Sequence, residues 1–356
     1  MDFLKIGLIG CGKMMGAHVR GVQNVDNVEI TCVCDIIREN AEKVSAELPN
    51  HPKVYTNYKD MVDEVDAVMI ALPHDLHYEC GMFFALNGKH ILMEKPLCNT
   101  EEECLSLIET CEARGLTLMC AYPVPFWPGM IKLKELVDSG KYGKIIQMSV
   151  WTEQLTICDI NERAWGASAR LGGGQLFSHG CHYIDLFLRF LGQPVSGFHM
   201  GSNLGTPWME KEGTSNVVIQ FANGAMGYHF GTWGARGSAH GYDIQVFCEH
   251  GFFDFRMNEG ILKFMCNRGP ESKSGDYPRE VVWNFDRNEG GANKQTYREI
   301  DHFTDCVLND KYPLTDAWSS MESNRLIWKL YEAEAKGVTA DLSDIKARTD
   351  YLEVLK

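Results

Sequence analysis

The start of the chain, where an apolar segment runs into a glycine-rich turn, constrains the fold more than any other feature. Residues 3–9 have the composition of a buried strand, and Gly10 and Gly12 follow before a stretch of helical character. In a dinucleotide-binding fold the first glycine permits a tight turn, and the second lets the backbone approach a pyrophosphate at the helix N-terminus. The usual spacing places a third glycine at position 15, whereas this sequence has Gly16. The segment therefore predicts a nucleotide-binding unit with a displaced third glycine.

A second strand supports this interpretation because it ends at an acidic residue. Residues 29–34 alternate polar and apolar side chains, and Asp35 lies 23 residues after Gly12, near the spacing of a ribose-binding acid. A carboxylate here accepts hydrogen bonds from the ribose 2′-OH and repels a 2′-phosphate, which favours NAD over NADP. Arg38 weakens that preference, since a nearby cation can accommodate the phosphate. The alternative is an ordinary strand–helix–strand unit with Asp35 on the surface.

Composition narrows the class of protein. The chain has 356 residues, of which 45% are hydrophobic, so one to three domains with ample cores are expected. A net charge of −14 and the lack of a basic run argue against a nucleic-acid partner. The 13 cysteines are scattered, without a Cys-x-x-Cys pair, as expected for reduced thiols in the cytoplasm. We expect no signal peptide, because the first strand begins at residue 3, and no membrane partner, because no apolar stretch is long enough.

The order of predicted elements indicates an α/β protein with two kinds of sheet. Strands and helices alternate through residue 122, which predicts a parallel sheet. Three prolines between residues 122 and 128 then mark a domain boundary. Alternating polar and apolar segments follow and predict a mostly antiparallel sheet, with strands at residues 143–154, 214–221, 225–233, 242–249 and 251–256. Asn223-Gly224 predicts a hairpin turn. We expect a long loop at 267–295 and helices at 297–308 and 317–336.

A strand that ends at Glu94-Lys95-Pro96 is the first candidate for catalysis. The apolar run 91–93 stops at these residues, as buried strands do where they reach the mouth of a site. Lysine loses its charge readily when it is desolvated or lies beside another cation, so Lys95 can take part in proton transfer. The alternative is a solvated lysine with no catalytic role.

The second candidate follows three glycines at positions 172–174. Ser178 and His179 lie four and three residues before His182 on a predicted helix, so the three side chains can share one neighbourhood. A histidine of near-neutral pKa can accept a proton from a hydroxyl while a hydride leaves the adjacent carbon. Both histidines could instead be hydrogen-bonded core residues. A metal site needs at least a third ligand, and none is recognisable, so we expect no metal.

Together these motifs resemble the Gfo/Idh/MocA oxidoreductase family over nearly the whole chain. The motifs that carry the resemblance are Gly10-Cys11-Gly12 with His18, Asp35, Leu72-Pro73 with His77, Gly88-Lys89-His90 leading to Glu94-Lys95-Pro96, and the glycine–His182–Asp185 segment. The resemblance implies a Rossmann domain at residues 1–122 and an α/β domain with a large, mostly antiparallel open sheet at 123–300. It also implies C-terminal helices at 301–356 that return to the first domain. Family members commonly form dimers or tetramers through that sheet.

The resemblance also assigns roles to individual residues. It places Lys95 and His182 beside the nicotinamide as the catalytic pair. Around the cofactor it implies Gly10, Gly12, Lys13, Met14, Asp35, Leu72, Pro73, His77, Glu94 and Lys95, to which we add the adjacent Cys11 and His74. NAD is the expected cofactor, and tight binding is a further expectation because some family enzymes keep the nucleotide between turnovers.

The sequence departs from the family pattern at the proposed base. Most dehydrogenases of the family have an aspartate four residues before the catalytic histidine, and Ser178 stands there. An uncharged serine cannot raise the pKa of His182 as a carboxylate would. Pro125 replaces an arginine that often precedes the Phe-x-Pro turn. Ser178-His179-Gly180 also resembles the Thr-His-Gly of NAD-dependent glycosidases in the family, which makes His179 a rival to His182.

Candidate substrate residues combine aromatic rings with hydrogen-bonding groups, a combination that suits a sugar or glycoside. They are Tyr122, Trp127, Arg163, Trp165, Ser178, His179 and His182. Some of the aromatic residues could belong to the core or to a subunit interface instead. The predicted function is NAD-dependent oxidation of a secondary ring hydroxyl to a ketone, with C3 of a glucosyl group as the favoured position. The alternatives are an inositol dehydrogenase, an NAD-dependent redox-assisted glycosidase and, more remotely, a non-catalytic NAD-binding regulator.

Overall fold

The computed structural model describes residues 3–156, 168–266, 279–288 and 294–355. The chain divides into two compact units, Met1–Phe126 with Asn288–Met321 and Trp127–Arg287 with Glu322–Lys356. The C-terminal boundary between them therefore falls inside one helix, Ala317–Lys336. The division into domains at residues 122 and 300 stays a prediction. Within the described ranges, no helix combines the length and the apolarity that crossing a membrane requires.

The first unit contains a six-stranded parallel sheet in the order β3-β2-β1-β4-β5-β6. Its strands are β1 Leu4–Ile9, β2 Val28–Cys34, β3 Lys53–Tyr55, β4 Ala67–Ile70, β5 His90–Glu94 and β6 Leu118–Ala121. This strand order is that of a dinucleotide-binding Rossmann fold, in which the order of the strands reverses between β1 and β4. The predicted parallel sheet is therefore confirmed. The strand β3 was not predicted, because three residues are too few to show a period.

The first unit contains helices that alternate with its strands, as predicted, and two further helices from the C-terminal part of the chain. They are Met15–Val22, Arg38–Glu47, His77–Leu86, Glu101–Glu112 and Tyr297–Leu308, with the start of Ala317–Lys336. Thr100 caps the fourth of them, because its hydroxyl accepts a hydrogen bond from the backbone N–H of Glu103 at 3.2 Å. The predictions for 297–308 and 317–336 agree with the structure at both ends.

The second unit is built on a nine-stranded sheet in the order β14-β13-β12-β11-β7-β10-β9-β8-β15. Its strands are β7 Ile145–Glu153, β8 Pro194–Ser202, β9 Thr214–Phe221, β10 Met226–Thr232, β11 Tyr242–Cys248, β12 Gly251–Arg256, β13 Ile261–Met265, β14 Glu280–Asn284 and β15 Ala340–Asp341. Among the described strand pairs of this nine-stranded sheet only β7 and β10 run parallel, so the predicted mostly antiparallel sheet is confirmed. The loop prediction was wrong for residues 280–284, which form the edge strand β14. An edge strand owes its conformation to pairing with its neighbour rather than to its own pattern.

The two faces of this sheet differ in what covers them. The second unit also contains the helices Pro128–Asp138, Ser168–Leu171, Cys181–Leu191 and Tyr351–Val354, together with the end of Ala317–Lys336. The helix Cys181–Leu191 packs on β7 and β10, over buried side chains such as Val150 and Ile244. The opposite face presents exposed apolar side chains, namely Phe198, Met200, Val218, Met226 and Phe247. Asn223-Gly224 forms the predicted hairpin turn between β9 and β10, with Gly224 at φ 89°.

Candidate active site

The glycine turn after β1 has the geometry that a bound dinucleotide requires. Gly10 adopts φ 84°, and a Cβ at this position would clash with the backbone carbonyl of Ala71. A Cβ on Gly12 would meet nothing within 4 Å, so the space beside it is open to a ligand. Burial raises the pKa of the Cys11 thiol to about 12, so this cysteine remains protonated and unreactive. Lys13 and Met14 follow, exposed and half-buried respectively.

Asp35 connects the end of β2 to this turn. Its Oδ2 accepts a hydrogen bond from the backbone N–H of Cys11 at 2.8 Å. Its Oδ1 accepts one from the backbone N–H of Ile37, also at 2.8 Å. An ionised carboxylate offers about four lone-pair sites, so Asp35 retains the capacity to accept hydrogen bonds from a ligand. The carboxylate therefore holds the turn in place and remains suited to its predicted ribose contact.

Close packing on the first helix occurs at Gly21 rather than at Gly16, and its partner is the start of the helix Tyr297–Leu308. A Cβ on Gly16 would meet only the Arg20 guanidinium, at 3.7 Å. A Cβ on Gly21 would lie 2.5 Å from Oγ1 of Thr296 and 3.0 Å from the backbone nitrogen of Tyr297. Sequence reasoning missed this role, because the packing partner is far along the chain and leaves no local signal.

His77 connects the ends of two neighbouring strands. It is fully buried, with Nε2 3.0 Å from the carbonyl oxygen of Leu72 and Nδ1 2.9 Å from that of Pro96. Burial lowers the pKa of His77. Leu72 and His74 are half-buried and Pro73 is exposed at the same strand end. His77 thus fixes the backbone that carries the other candidate cofactor residues, and its own cofactor contact stays a prediction.

Glu94 points into the unit and is held by a histidine on the first helix. Its Oε1 lies 2.8 Å from Nε2 of His18, and its Oε2 accepts a hydrogen bond from the backbone N–H of Lys95 at 3.2 Å. Burial raises the pKa of Glu94, but the hydrogen bond and charge of His18, together with the charge of Lys95, outweigh burial and hold this pKa well below its usual range. Glu94 is therefore ionised, and it orients the half-buried strand end from which Lys95 projects.

In the second unit, Glu212 and Tyr331 support the segment that carries the candidate histidines. The Tyr331 hydroxyl donates to Glu212 at 2.6 Å and accepts from the backbone N–H groups of Gly174 and Phe177, each at 3.2 Å. Glu212 also accepts a hydrogen bond from the backbone N–H of Leu176 at 3.1 Å. These contacts satisfy backbone donors at the start of the helical segment. No sequence pattern indicated either residue, because both are distant from this segment along the chain.

His179 lies in a π-helical turn, Leu176–Gly180, and His182 lies in the α-helix that follows it. Such turns occur frequently at functional sites. The two imidazole rings are 5.7 Å apart and nearly perpendicular, and both are half-buried beside otherwise buried neighbours. The rings of Tyr183 and Tyr242 each lie 5.7 Å from His179. The structure therefore brings the two histidines together, with aromatic rings next to His179. Ser178, in contrast to the two half-buried histidines, is buried.

The other predicted residues lie in different settings. Tyr122 is fully buried in the first unit, and Trp127 is half-buried where the helix Pro128–Asp138 begins. Arg163 and Trp165 lie outside the described residues. Substrate contacts of these four residues stay predictions. In the parts of the chain that are described, no group of three or more histidine, cysteine, aspartate or glutamate side chains could hold a metal ion.

Comparison with known families agrees with this architecture. Residues 4–122 match the oxidoreductase family with an NAD-binding Rossmann fold, GFO_IDH_MocA, and residues 130–254 match a C-terminal domain of the same family. The chain belongs to the Gfo/Idh/MocA oxidoreductase family. The predicted family is therefore confirmed.

Curated relatives are 25–28% identical to this chain over the residues that align. A 2,7-anhydro-N-acetylneuraminate hydratase of Escherichia coli is 28% identical over 229 residues, covering 63% of this chain and 60% of that protein. A scyllo-inositol 2-dehydrogenase (NAD(+)) of Bacillus subtilis is 25% identical over 324 residues, covering 87% of this chain and 88% of that protein. The chain spans about 60% of the length of the first curated relatives it matches.

Solved structures share the fold over almost the full chain. Levoglucosan dehydrogenase in complex with NADH and L-sorbose superposes with a TM-score of 0.85 at 20% identity, covering 96% of this chain and 99% of that one. The WlbA dehydrogenase of Bordetella pertussis, in complex with NADH and UDP-GlcNAcA, gives a TM-score of 0.78 at 21% identity, with coverages of 96% and 99%. At this level of identity the likeness establishes a common fold.

Proposed function

We propose that the protein oxidises a secondary ring hydroxyl of a sugar or glycoside to a ketone, with NAD as the hydride acceptor. The observation that carries this proposal is the pair of half-buried imidazoles, His179 and His182, whose rings lie 5.7 Å apart on an otherwise buried helical segment. Imidazole is the side chain best suited to proton transfer near neutral pH. The family membership supplies the Rossmann domain that such a reaction needs.

The residues around the glycine turn fit a dinucleotide. The open space at Gly12 and the acid at the end of β2 are the two features that the pyrophosphate and the ribose require. NAD is proposed over NADP because Asp35 would repel a 2′-phosphate. The cation that weakened this preference, Arg38, lies 3.5 Å from the carboxylate of Glu42, and the residue after Asp35 is the exposed apolar Ile36.

The roles of the catalytic residues follow the family resemblance. Lys95 orients the substrate hydroxyl and stabilises the negative charge that develops on its oxygen. His182, or His179, accepts the hydroxyl proton while the C–H bond breaks and a ketone forms. Bound NAD would supply the acceptor for the hydride that leaves that carbon. One proton and one hydride therefore leave the alcohol in each turnover.

The proposed substrate class rests on the aromatic surround of the histidines and on relatives that act on cyclic polyols. Sugar rings stack their C–H faces on aromatic side chains, and the half-buried ring of Tyr242 lies 5.7 Å from that of His179. Oxidation at C3 of a glucosyl group is the favoured reaction. An inositol is the alternative substrate, since the Bacillus subtilis relative named for scyllo-inositol aligns over 87% of this chain.

A redox-assisted glycosidase is the second candidate. It is favoured by the Ser178-His179-Gly180 motif and by a glycosyl hydrolase family 109 protein of Shewanella pealeana, which is 28% identical over 156 residues and covers 41% of this chain. This reaction would release an aglycone without net NADH. Recovery of an intact keto-glycoside would exclude it.

The deciding experiment combines purified protein and NAD with glucose, inositols and aryl or C-linked glucosides. NADH formation is followed by absorbance, under single-turnover and multiple-turnover conditions, and products are identified by mass spectrometry. The nucleotide content of the protein as purified tests the expectation of tight binding. A keto product from a ring hydroxyl supports the proposal. If none of these substrates gives NADH, keto product or free aglycone under either condition, the proposal is wrong.

We also propose a homo-oligomer formed through the exposed face of the nine-stranded sheet. Apolar side chains on β8, β9, β10 and β11 share that face, and contiguous apolar patches of this kind commonly mark protein interfaces. A cytoplasmic location is proposed because every cysteine among the described residues is a free thiol. Light scattering and the variant Val218→Asp, which places a charge in the face, test the assembly.

A further inference from the structure

A buried polar network lies beneath His179 in the second unit. Gln175 is fully buried, and its amide nitrogen lies 3.5 Å from Nδ1 of His179 and 3.4 Å from Oγ1 of Thr152. That hydroxyl is 3.3 Å from Nε2 of His229 and 3.4 Å from the carbonyl oxygen of Phe230. The network therefore connects a candidate catalytic histidine to two strands of the sheet.

The backbone of β10 leaves room for the Gln175 amide. A Cβ on Gly231 would clash with both the nitrogen and the oxygen of this amide. The missing side chain of Gly231 thus leaves the space that the Gln175 amide occupies. Close packing of this kind holds the amide group in one position. Without it, rotation about the side-chain bonds of Gln175 would let the amide move.

The positions of the hydrogens follow from the partners available at each atom. His229 is fully buried, and burial, together with the charge of His199, lowers its pKa to about 3, so it is neutral and carries one N–H. Its Nδ1 has no hydrogen-bond partner among the residues that the structure describes, whereas Nε2 faces Thr152. Because a buried N–H without a partner is costly, the hydrogen belongs on Nε2. Thr152 accepts that hydrogen bond and donates its own hydrogen to Phe230.

This arrangement sets the orientation of the amide. Since the Thr152 hydroxyl hydrogen is already committed, the group of Gln175 that faces it is the donating NH₂. This orientation leaves only Oε1 of Gln175 without a partner among the described residues, whereas the reverse orientation would leave both N–H groups there. The second N–H of the same amide then points at Nδ1 of His179, which has to accept it. A neutral imidazole that accepts at Nδ1 carries its hydrogen on Nε2.

We infer that Gln175 is a positioning residue that holds neutral His179 as the Nε2–H tautomer, so that His179 donates a hydrogen bond to a substrate oxygen and leaves proton abstraction to His182. The assignment of the substrate oxygen rests on the proposed function, whereas the tautomer does not. His179 and His182, both candidates for the catalytic base from the sequence, would then have different roles.

The test is long-range proton–nitrogen NMR of the full chain labelled with nitrogen-15 histidine, without substrate. The resonances of His179 are assigned by their loss in His179→Gln. We expect an unprotonated Nδ1 and a protonated Nε2 in the neutral form. A protonated Nδ1 with an unprotonated Nε2 would overturn the inference, whatever the enzyme oxidises.

Two variants extend the test. In Gln175→Glu a carboxylate replaces the donor, so the hydrogen of His179 is expected to move to Nδ1. Gln175→Met removes the donor with little change in size, and both tautomers should then be populated. Gln147→Glu is the matched control, because residue 147 lies on β7 with its side chain on the sheet face opposite to that of Thr152. If the His179 spectrum of Gln175→Glu and Gln175→Met matches that of the control, Gln175 does not set the tautomer.

Measurements of activity test the division of roles independently. If any of the sugars, inositols or glucosides named above is oxidised, His179→Asn, which keeps a hydrogen-bond donor, should retain more activity than His182→Asn, which cannot act as a base. Equal loss in both variants would overturn the division of roles. Absence of any turnover with the predicted tautomer present would refute the proposed function and leave the Gln175 assignment standing.

Discussion

The imidazole of His18 lies 2.8 Å from the carboxylate of Glu94, and both side chains are buried in the first unit. On its other side, Nδ1 of His18 is 3.8 Å from the carboxyl group of Glu299. Burial and the charge of Glu94 raise the pKa of Glu299 well above its usual range, so this second carboxyl stays protonated. The cluster therefore contains a single carboxylate, and that carboxylate also binds the backbone N–H of Lys95.

Removal of the Glu94 carboxylate should destabilise the protein strongly. Glu94→Ala leaves His18 buried without its partner, and we expect a loss of about 3 kcal/mol in the free energy of unfolding, measured in urea by circular dichroism. Glu94→Gln should lose less, because the amide oxygen still accepts a hydrogen bond. Glu64→Gln is the control, since its partner Lys53 is largely exposed, and it should cost less than about 1 kcal/mol. Equal stability of Glu94→Ala and the control would contradict the role of the pair.

Two glycines on the first helix should respond in opposite ways to the same substitution. Gly21→Ala places a Cβ 2.5 Å from Thr296, so the helices must separate, and we expect a loss of about 1–3 kcal/mol. Gly16→Ala meets no close neighbour and gains helix propensity, so its stability should be unchanged or up to about 1 kcal/mol higher. Denaturation in urea measures both. A Gly21→Ala protein as stable as Gly16→Ala would show that this packing is unimportant.

Features of the fold that depend on local pattern could be predicted from the sequence. The alternation of apolar strands with helices predicted the parallel sheet, and the polar–apolar alternation within later strands predicted the antiparallel sheet. Both patterns are visible because burial of one face gives apolar residues a period of two in strands and 3.6 in helices. The strands β3, β8, β13, β14 and β15 were not predicted. Among them β3 and β15 are too short to show a period, and the edge strand β14 depends on its neighbour for its conformation.

Features of the site that depend on contacts distant in sequence could not be predicted. Asp35 and the two histidines could be found from the sequence, because Asp35 follows a predicted strand and the histidines lie on a predicted helix. The packing of Gly21 on Thr296 and the support of the histidine segment by Glu212 and Tyr331 were not visible, because their partners are more than 30 residues away along the chain. Such contacts leave no mark on any short window of sequence.

Substitution of Lys95 should separate catalysis from cofactor binding. In Lys95→Met we expect kcat to fall by roughly 10²–10⁴-fold, because the stabilisation of the developing oxyanion is lost. NADH affinity, measured by fluorescence titration, should change little. Lys89→Met is a control at the opposite end of the same strand, where Lys89 donates to the carbonyl oxygen of Val65 at 2.8 Å. Preserved turnover in Lys95→Met would show that the assignment is wrong.

Exchange of the acid after β2 should shift the cofactor preference. In Asp35→Ser combined with Ile36→Arg, the repulsion of a 2′-phosphate is removed and a cation is supplied, so affinity for NADPH should rise relative to NADH. NADH affinity should also fall, because Asp35 accepts hydrogen bonds from the backbone of Cys11 and Ile37. Ile36→Arg alone is the control, since it keeps the carboxylate. Fluorescence titration with both nucleotides measures the ratio, and an unchanged ratio in the double variant would contradict the proposed selectivity.

Acid should weaken the second unit through His229. Burial lowers the pKa of this histidine to about 3, against about 6.5 in an unfolded chain, so between these values the unfolded state binds the extra proton. The free energy of unfolding therefore falls as pH decreases through this window, by about 1.4 kcal/mol per pH unit, or about 2 kcal/mol from pH 6.5 to 5. His229→Gln keeps a donor for Thr152 but does not titrate, so the wild type should lose that much more stability than the variant over the same interval. His250→Gln, at an exposed histidine of the same unit, is the control and should follow the wild type. Urea denaturation at both pH values measures these free energies of unfolding. If the wild type and His229→Gln lose the same amount between pH 6.5 and 5, His229 is not neutral and buried in the folded protein.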